Sequence, residues 1–182
     1  MSVIRVDFGG RAARAAEQTA ERAEQLYRLA SALDENPATR EQARAAYEEA
    51  VKFHHAKAMV NLANMYIKDG DQKAAMRLYR RAIKLDPTIA EAHYNIGWCL
   101  SAQGQNKRAL RSFQRAVELD PNFADAHYNL ADALFIEGQL NEAAKHWREY
   151  LRLDSGDEMW RQEARLRLQA IRRRLAPKLR AV

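Results

Sequence analysis

Residues 90–123 read AEAHYNIGWCLSAQGQNKRALRSFQRAVELDPNF, and the 34 residues on either side follow the same pattern. Ala56–Ile89, Ala90–Phe123 and Ala124–Asp157 stack without a gap, which puts Gly70, Gly104 and Gly138 in one column. Asn61, Asn95 and Asn129 share a second column, and Leu85, Leu119 and Leu153 a third. A fixed period of this length marks a solenoid, in which each unit is too small to bury its own apolar face and must stack on the next. The first half of each unit carries apolar residues at helical spacing and ends at glycine, the residue suited to the left-handed position just past a helix end. In the second half, Ala109, Leu110, Phe113, Ala116 and Val117 share one helical face. That half closes on Leu-Asp-Pro, where Pro121 cannot continue the helix. Small residues at Ala63, Gly97, Ala131 and at Ala75, Ala109, Ala143 let the two helices of a pair approach closely. The expected fold is all-α, and such a surface favours binding over catalysis.

Composition agrees. Charged residues make up 30% of the 182, aromatics 8%, with only 7 glycines and 4 prolines, a mix typical of helical proteins. The single cysteine, Cys99, leaves no internal disulfide or cysteine-based metal cluster to form. No apolar run is long enough to span a bilayer, and MSVIRVDFGG is too short and polar for a secretory signal, so a cytoplasmic location is expected. The formal charge of +6 resides in residues 158–182, which hold 8 basic and 2 acidic residues; residues 1–157 are balanced at 22 of each. The pI of about 9.6 therefore describes the C-terminal helix rather than the whole surface.

At these residues the chain resembles the tetratricopeptide repeat (TPR) family. The pitch, the Leu-Gly-like or Leu-Ala pair at positions seven and eight, Tyr66 at eleven and alanine at twenty fit its pattern. So do the aromatics Tyr79, Phe113 and Trp147 at twenty-four and Pro87 and Pro121 at thirty-two. Leu100 and Leu134 depart from the usual tyrosine, Ser155-Gly156 replaces the last proline, and Tyr150 stands where a small residue is usual. The resemblance implies a right-handed superhelical solenoid of helix pairs with a C-terminal capping helix.

The expected organisation has four parts. Residues 1–10 form a strand-like or disordered arm, in which Ile4, Val6 and Phe8 alternate and Gly9-Gly10 forms a hinge. Residues 11–55 hold an N-terminal helix merging into a divergent first repeat, where Asn36-Pro37 reads as an N-cap and first helical residue. Residues 56–157 are three full repeats. Residues 158–182 are a basic cap and tail, with Trp160, Ala164, Leu168, Ile171 and Leu175 on one stripe and Pro177 at its end.

The family resemblance implies that peptides bind along the concave face, lined by the first helix of each pair. Position six places Asn61, Asn95 and Asn129 there, where each amide offers an acceptor and two donors to a peptide backbone or else supports helix packing. Position nine contributes Asn64, Trp98 and Asp132. Trp98 reads as an exposed anchor, or as an indole folded against Tyr94 or Tyr128. Tyr94 and Tyr128 occupy position five. Lys57, Lys68 and Phe135 complete the set, together with Glu91 and Asp125 at position two. The expected ligand is an extended or helical peptide with an apolar centre near Trp98. Only Lys68 fits the clamp by which some TPRs hold a C-terminal carboxylate.

His93 and His127 at position four read as packing residues, because parallel helices about 8–10 Å apart separate them too far for easy shared ligation. His54-His55 splay apart on a helix. No metal, cofactor or catalytic residue is expected, and Cys99 reads as a packing residue. The basic residues Arg165, Arg172, Arg173, Arg174 and Lys178 form either a solvated face or a contact for nucleic acid or an acidic partner.

The stretches ENPATREQARAAYEEAV and HWREYLRLD resemble the TPR region of bacterial MerR-type regulators that carry TPRs, a resemblance that implies a bacterial source and a regulatory role. The leading function is a protein–protein interaction module (adaptor or scaffold). The alternatives are a nucleic-acid-associated regulator using the basic helix, and a self-assembling structural unit using the N-terminal arm.

Overall fold

The computed structural model describes residues 8–153 and 158–176. Among them are nine α-helices and one 3-10 turn, with no strand. They run α1 (Phe8–Asp34), the turn Pro37–Thr39, α2 (Arg40–Lys52), α3 (Ala56–Lys68) and α4 (Gln72–Leu85). After Pro87 come α5 (Ala90–Ala102), α6 (Asn106–Leu119), α7 (Ala124–Ile136), α8 (Leu140–Leu153) and α9 (Glu158–Leu175). The fold is an all-α repeat solenoid. It divides into two compact units between Pro87 and Thr88.

In the first unit α1 pairs with α2 and α3 with α4, while α2 also packs on α3. The small positions do the expected work: Ala43, Ala50, Ala63, Ala75 and Ala82 are fully buried, so the helices close around the rings of Tyr47 and Tyr79. Arg40 and Arg44 of α2 both pair with Asp69 just past α3, and Arg44 also lies over the Tyr66 ring at 5.5 Å. The two guanidiniums hold the Asp69 carboxyl below its usual range.

The second unit pairs α5 with α6 and α7 with α8, with α6 on α7 and α9 on α8. Its centre is built on Phe113 and Trp147. The α9 stripe is buried in its middle, at Ala164 and Ile171, but Trp160 and Leu175 at its ends are 47% and 49% exposed.

The three column glycines sit where the sequence places them, past α3, α5 and α7, with φ of 82°, 70° and 77°. At each, two backbone N–H groups turn back onto the helix: Gly104 N–H to Ser101 O at 2.9 Å and Gln105 N–H to Leu100 O at 2.9 Å, for example. The same closure ends α2, but there the left-handed residue is His54, with φ of 60°. His55 then caps α3: its Nδ1 accepts from Ala58 N–H at 3.1 Å, so its Nε2 carries the proton and donates to Glu24 at 3.1 Å.

Two local expectations change. Helix α1 begins at Phe8, so Gly9 and Gly10 lie in its first turn and form no hinge there. Asn36 caps as expected, accepting from Ala38 N–H at 2.9 Å, but the helix it starts is the short 3-10 turn, and α2 begins after it. The strand-like residues 1–7, Ser155-Gly156, Pro177 and Lys178 lie outside the described residues.

Candidate functional site

Within the second unit, helical spacing aims two sets of side chains at one place. Tyr94 and Trp98 are four apart on α5; Asp125, Tyr128, Asn129 and Asp132 occupy successive turns of one face of α7. With Tyr150 from α8 and Trp160 from the first turn of α9 they line an open cavity of about 380 Å³. Six sequence-derived candidates meet here: Tyr94, Trp98, Asp125, Tyr128, Asn129 and Asp132.

The rings form the walls. Tyr128 is an edge-on neighbour of Tyr150 at 5.1 Å and of Trp160 at 5.5 Å. Tyr94 rests on Phe123 at 4.8 Å and on Phe113 at 5.9 Å. Trp98 is 46% exposed and makes no ring contact among the described residues, so it is not folded onto Tyr94 or Tyr128.

The polar groups are partly committed. Asn129 Nδ2 donates to Asp125 O at 2.9 Å and to Tyr94 Oη at 3.3 Å, which uses both of its amide hydrogens. Burial, followed by the nearby Asp125 charge, pushes the Tyr94 phenol up to about 12. Burial with the Asp132 charge pushes Tyr128 up to about 12. The Asp132 carboxyl is itself raised, first by burial and further by Glu163, against the opposing pull of Arg167. Its Oδ1 is buried without a hydrogen bond; the nearest cation is Arg167 Nη1 at 3.5 Å. Arg167 in turn gives its Nε to Glu163 at 2.8 Å and lies over the rings of Phe135 and Trp147.

The other candidates lie elsewhere. Phe135 packs against Trp147 at 5.6 Å and does not line the cavity. Asn95 is half-buried on α5 beside the site but is not part of its lining. Lys57, Asn61, Asn64 and Lys68 belong to the first unit. There Asn61 Nδ2 donates to Tyr47 Oη at 2.8 Å, and Asn64 Oδ1 accepts from Tyr79 Oη at 2.6 Å, so both amides support the buried phenols. Lys57 and Lys68 are exposed.

His127 is buried and donates from Nε2 to Pro121 O at 3.0 Å. Its Nδ1 therefore accepts from His146 Nδ1–H at 2.9 Å in the neutral pair. Among the described residues no group of three potential metal ligands comes together, and Cys99 is fully buried.

At the other side of α9 a larger groove of about 970 Å³ runs between α8 and α9. Lys145, Arg148, Arg165 and Arg172 edge it, and Leu168, Ile171 and Leu175 supply an apolar floor. Arg165 pairs with Glu158, while Arg172, Arg173 and Arg174 are exposed in the last turn of α9.

Tyr150 and Trp160 were not among the sequence-derived site residues. The signal was present: Tyr150 breaks the small-residue rule of its column, and Trp160 is an aromatic at the start of the capping stripe. Both rings pack on Tyr128.

Comparison with curated proteins finds none that matches. Among solved structures, the chain is similar to YrrB, described as a TPR protein with an unusual peptide-binding site: identity 26%, TM-score 0.68, covering 89% of this chain and 82% of that one. It is also similar in fold to the Yersinia enterocolitica type III secretion chaperone SycD in complex with a peptide of the translocator YopD, at 20% identity and TM-score 0.57, covering 65% and 92%. The first TPR of Spaghetti (RPAP3), bound to an HSP90 peptide, matches at 24% identity and TM-score 0.58, covering 67% and 94%. No helix among the described residues is long and apolar enough to cross a membrane. A family model described as TPR repeat matches residues 63–98 and 100–135, and one described as tetratricopeptide repeat matches 124–157. Over residues 63–157 the chain therefore belongs to the tetratricopeptide repeat family.

Proposed function

We propose that this chain is a non-catalytic protein-interaction module that holds a peptide segment of another protein on the α5/α7 face. The observation that carries the reading is the cavity of about 380 Å³ between Trp98 and Trp160. Two half-exposed indoles stand above buried phenols, an arrangement suited to an anchor side chain surrounded by rings. Likeness to YrrB, a protein described by its peptide-binding site, supports it. The half-buried Asn95 and Asn129 lie alongside, and Asn129 keeps its Oδ1 for a peptide N–H. The test is to pan a random peptide display library against the parent chain and to measure the enriched peptides on Trp98→Ala. A loss of about tenfold or more is expected for an anchor of this kind. Unchanged affinity would overturn the placement of the ligand on this face.

A second reading rests on the groove between α8 and α9. Its cationic rim and the exposed Arg172, Arg173 and Arg174 suit an acidic protein surface or nucleic acid. The regulator resemblance belongs with this reading and rests on sequence stretches alone. Replacing the three arginines by glutamine should abolish salt-sensitive DNA retention. No retention by the parent at low salt refutes nucleic acid as the occupant.

A further inference from the structure

We infer that the cavity between Trp98 and Trp160 takes a positively charged peptide side chain, arginine or lysine, held between aromatic rings and paired with Asp125 and Asp132. The inference rests on the peptide-binding reading and names the chemistry of its anchor.

Three features select a cation. Two carboxylates, Asp125 and Asp132, line the cavity, and no cationic side chain does. An anionic ligand group would meet like charge on α7. Next, Asp132 Oδ1 is buried without a hydrogen bond, and its cationic neighbour Arg167 is already tied to Glu163. That oxygen is closed off, so the part of the Asp132 side chain that meets a ligand is its exposed remainder, 30% accessible. An apolar anchor would strip water from this carboxylate without replacing its hydrogen bonds, whereas a guanidinium or ammonium brings donors to it. Finally, Tyr94, Trp98, Tyr128 and Trp160 are the walls, and π faces attract a cation that is partly stripped of water. The aliphatic stem of lysine or arginine fits along the same rings, which also answers the apolar character expected near Trp98. The large-scale field opposes this preference, because the chain carries a formal charge of +6. Preference for a cationic peptide therefore has to arise from the local carboxylates.

The probe is a set of fluorescent peptide pools, randomised except for a central arginine, lysine, norleucine or glutamate, titrated by anisotropy against the full chain. The arginine and lysine pools should bind about fivefold or more tighter than the norleucine and glutamate pools, the effect of one charge-assisted contact with ring stacking. Asp132→Asn, which keeps the side chain's shape, should shrink that preference to less than twofold, and Asp125→Asn should weaken it in part. Circular dichroism of both variants checks that they remain folded. Norleucine binding as well as arginine, or a cationic preference that survives both substitutions, overturns the inference while leaving peptide binding intact. Failure of every pool to bind overturns the interaction reading of this face and the inference with it.

Discussion

Replacing Gly97 by alanine tests how tightly the α5/α6 pair is fitted. A methyl group there would lie 2.7 Å from both Cδ1 and Cε1 of Phe113 and 3.2 Å from its Cγ. Comfortable carbon contacts are about 3.5–4.0 Å, so the ring must retreat by roughly 1 Å. It has little room: Phe113 is 1% exposed and lies 5.9 Å from the Tyr94 ring. Overpacking of this kind costs about 1–3 kcal/mol. Alanine in mid-helix returns about 1 kcal/mol relative to glycine. Gly97→Ala is therefore expected to lose about 1 kcal/mol of stability net, read from the urea midpoint of the helical signal. Phe113→Leu alone should cost about 1–2 kcal/mol for the lost ring volume. Together the two changes should fall short of additive by about 1 kcal/mol, because the smaller side chain vacates the methyl's place. The equivalent positions make the point specific. Ala63 and Ala131 coexist with Tyr79 and Trp147, all buried, so placement of the Phe113 ring rather than ring size excludes the methyl. A Gly97→Ala protein about 1 kcal/mol more stable than its parent, with additive behaviour in the double variant, would refute the reasoning, since only helix propensity would then be acting.

Two further outcomes follow from local chemistry. His54 holds a left-handed φ of 60° that glycine adopts freely, so His54→Gly is expected to stabilise the first unit by about 0.5–1 kcal/mol; a loss in thermal unfolding would show that the imidazole contributes more than the backbone strain costs. Tyr94 and Tyr128 titrate near 12 rather than 10, so the ultraviolet ionisation lost in Tyr94→Phe and Tyr128→Phe should come from the upper end of the curve. Because the folded pKa lies above the unfolded one, the contribution of these phenols to stability is complete below about pH 10 and falls as pH climbs through about 12. Lost absorbance centred near pH 10 in a folded protein would contradict their burial.

The period was enough to locate most of the architecture, because backbone geometry is local. Gly70, Gly104 and Gly138 mark helix ends whatever surrounds them, and the alternation of small and aromatic residues sets each pair's spacing. The α5/α7 lining was legible because the family resemblance implies that the first helix of each pair lines the binding face, and helical spacing then groups Tyr94 with Trp98 and Asp125 with Tyr128, Asn129 and Asp132. What escaped depends on contacts between turns of the chain that no period encodes. Asn61 shares its column with Asn129, yet its amide goes to Tyr47 of α2, whereas Asn129 reaches Tyr94. The columns agree in sequence, but the partner comes from the neighbouring pair. Tyr150 and Trp160 joined the site through α8 and α9, where the pattern was already ending. Gly9-Gly10 misled because two glycines look like a hinge until the following helix extends back through them.

The distribution of the three tryptophans has a photophysical consequence. Trp147 is sealed in the core, while Trp98 and Trp160 stand half in water at the two sides of the cavity. The emission of the protein is thus a sum of one shielded, blue-shifted indole and two solvated, red-shifted ones. Filling the cavity alters the second component and leaves the first as an internal reference. Because carboxylates line the space between the exposed pair, caesium ions should reach their excited states more readily than iodide does. The molecule therefore carries its own unlabelled gauge both of occupancy and of the sign of the local potential.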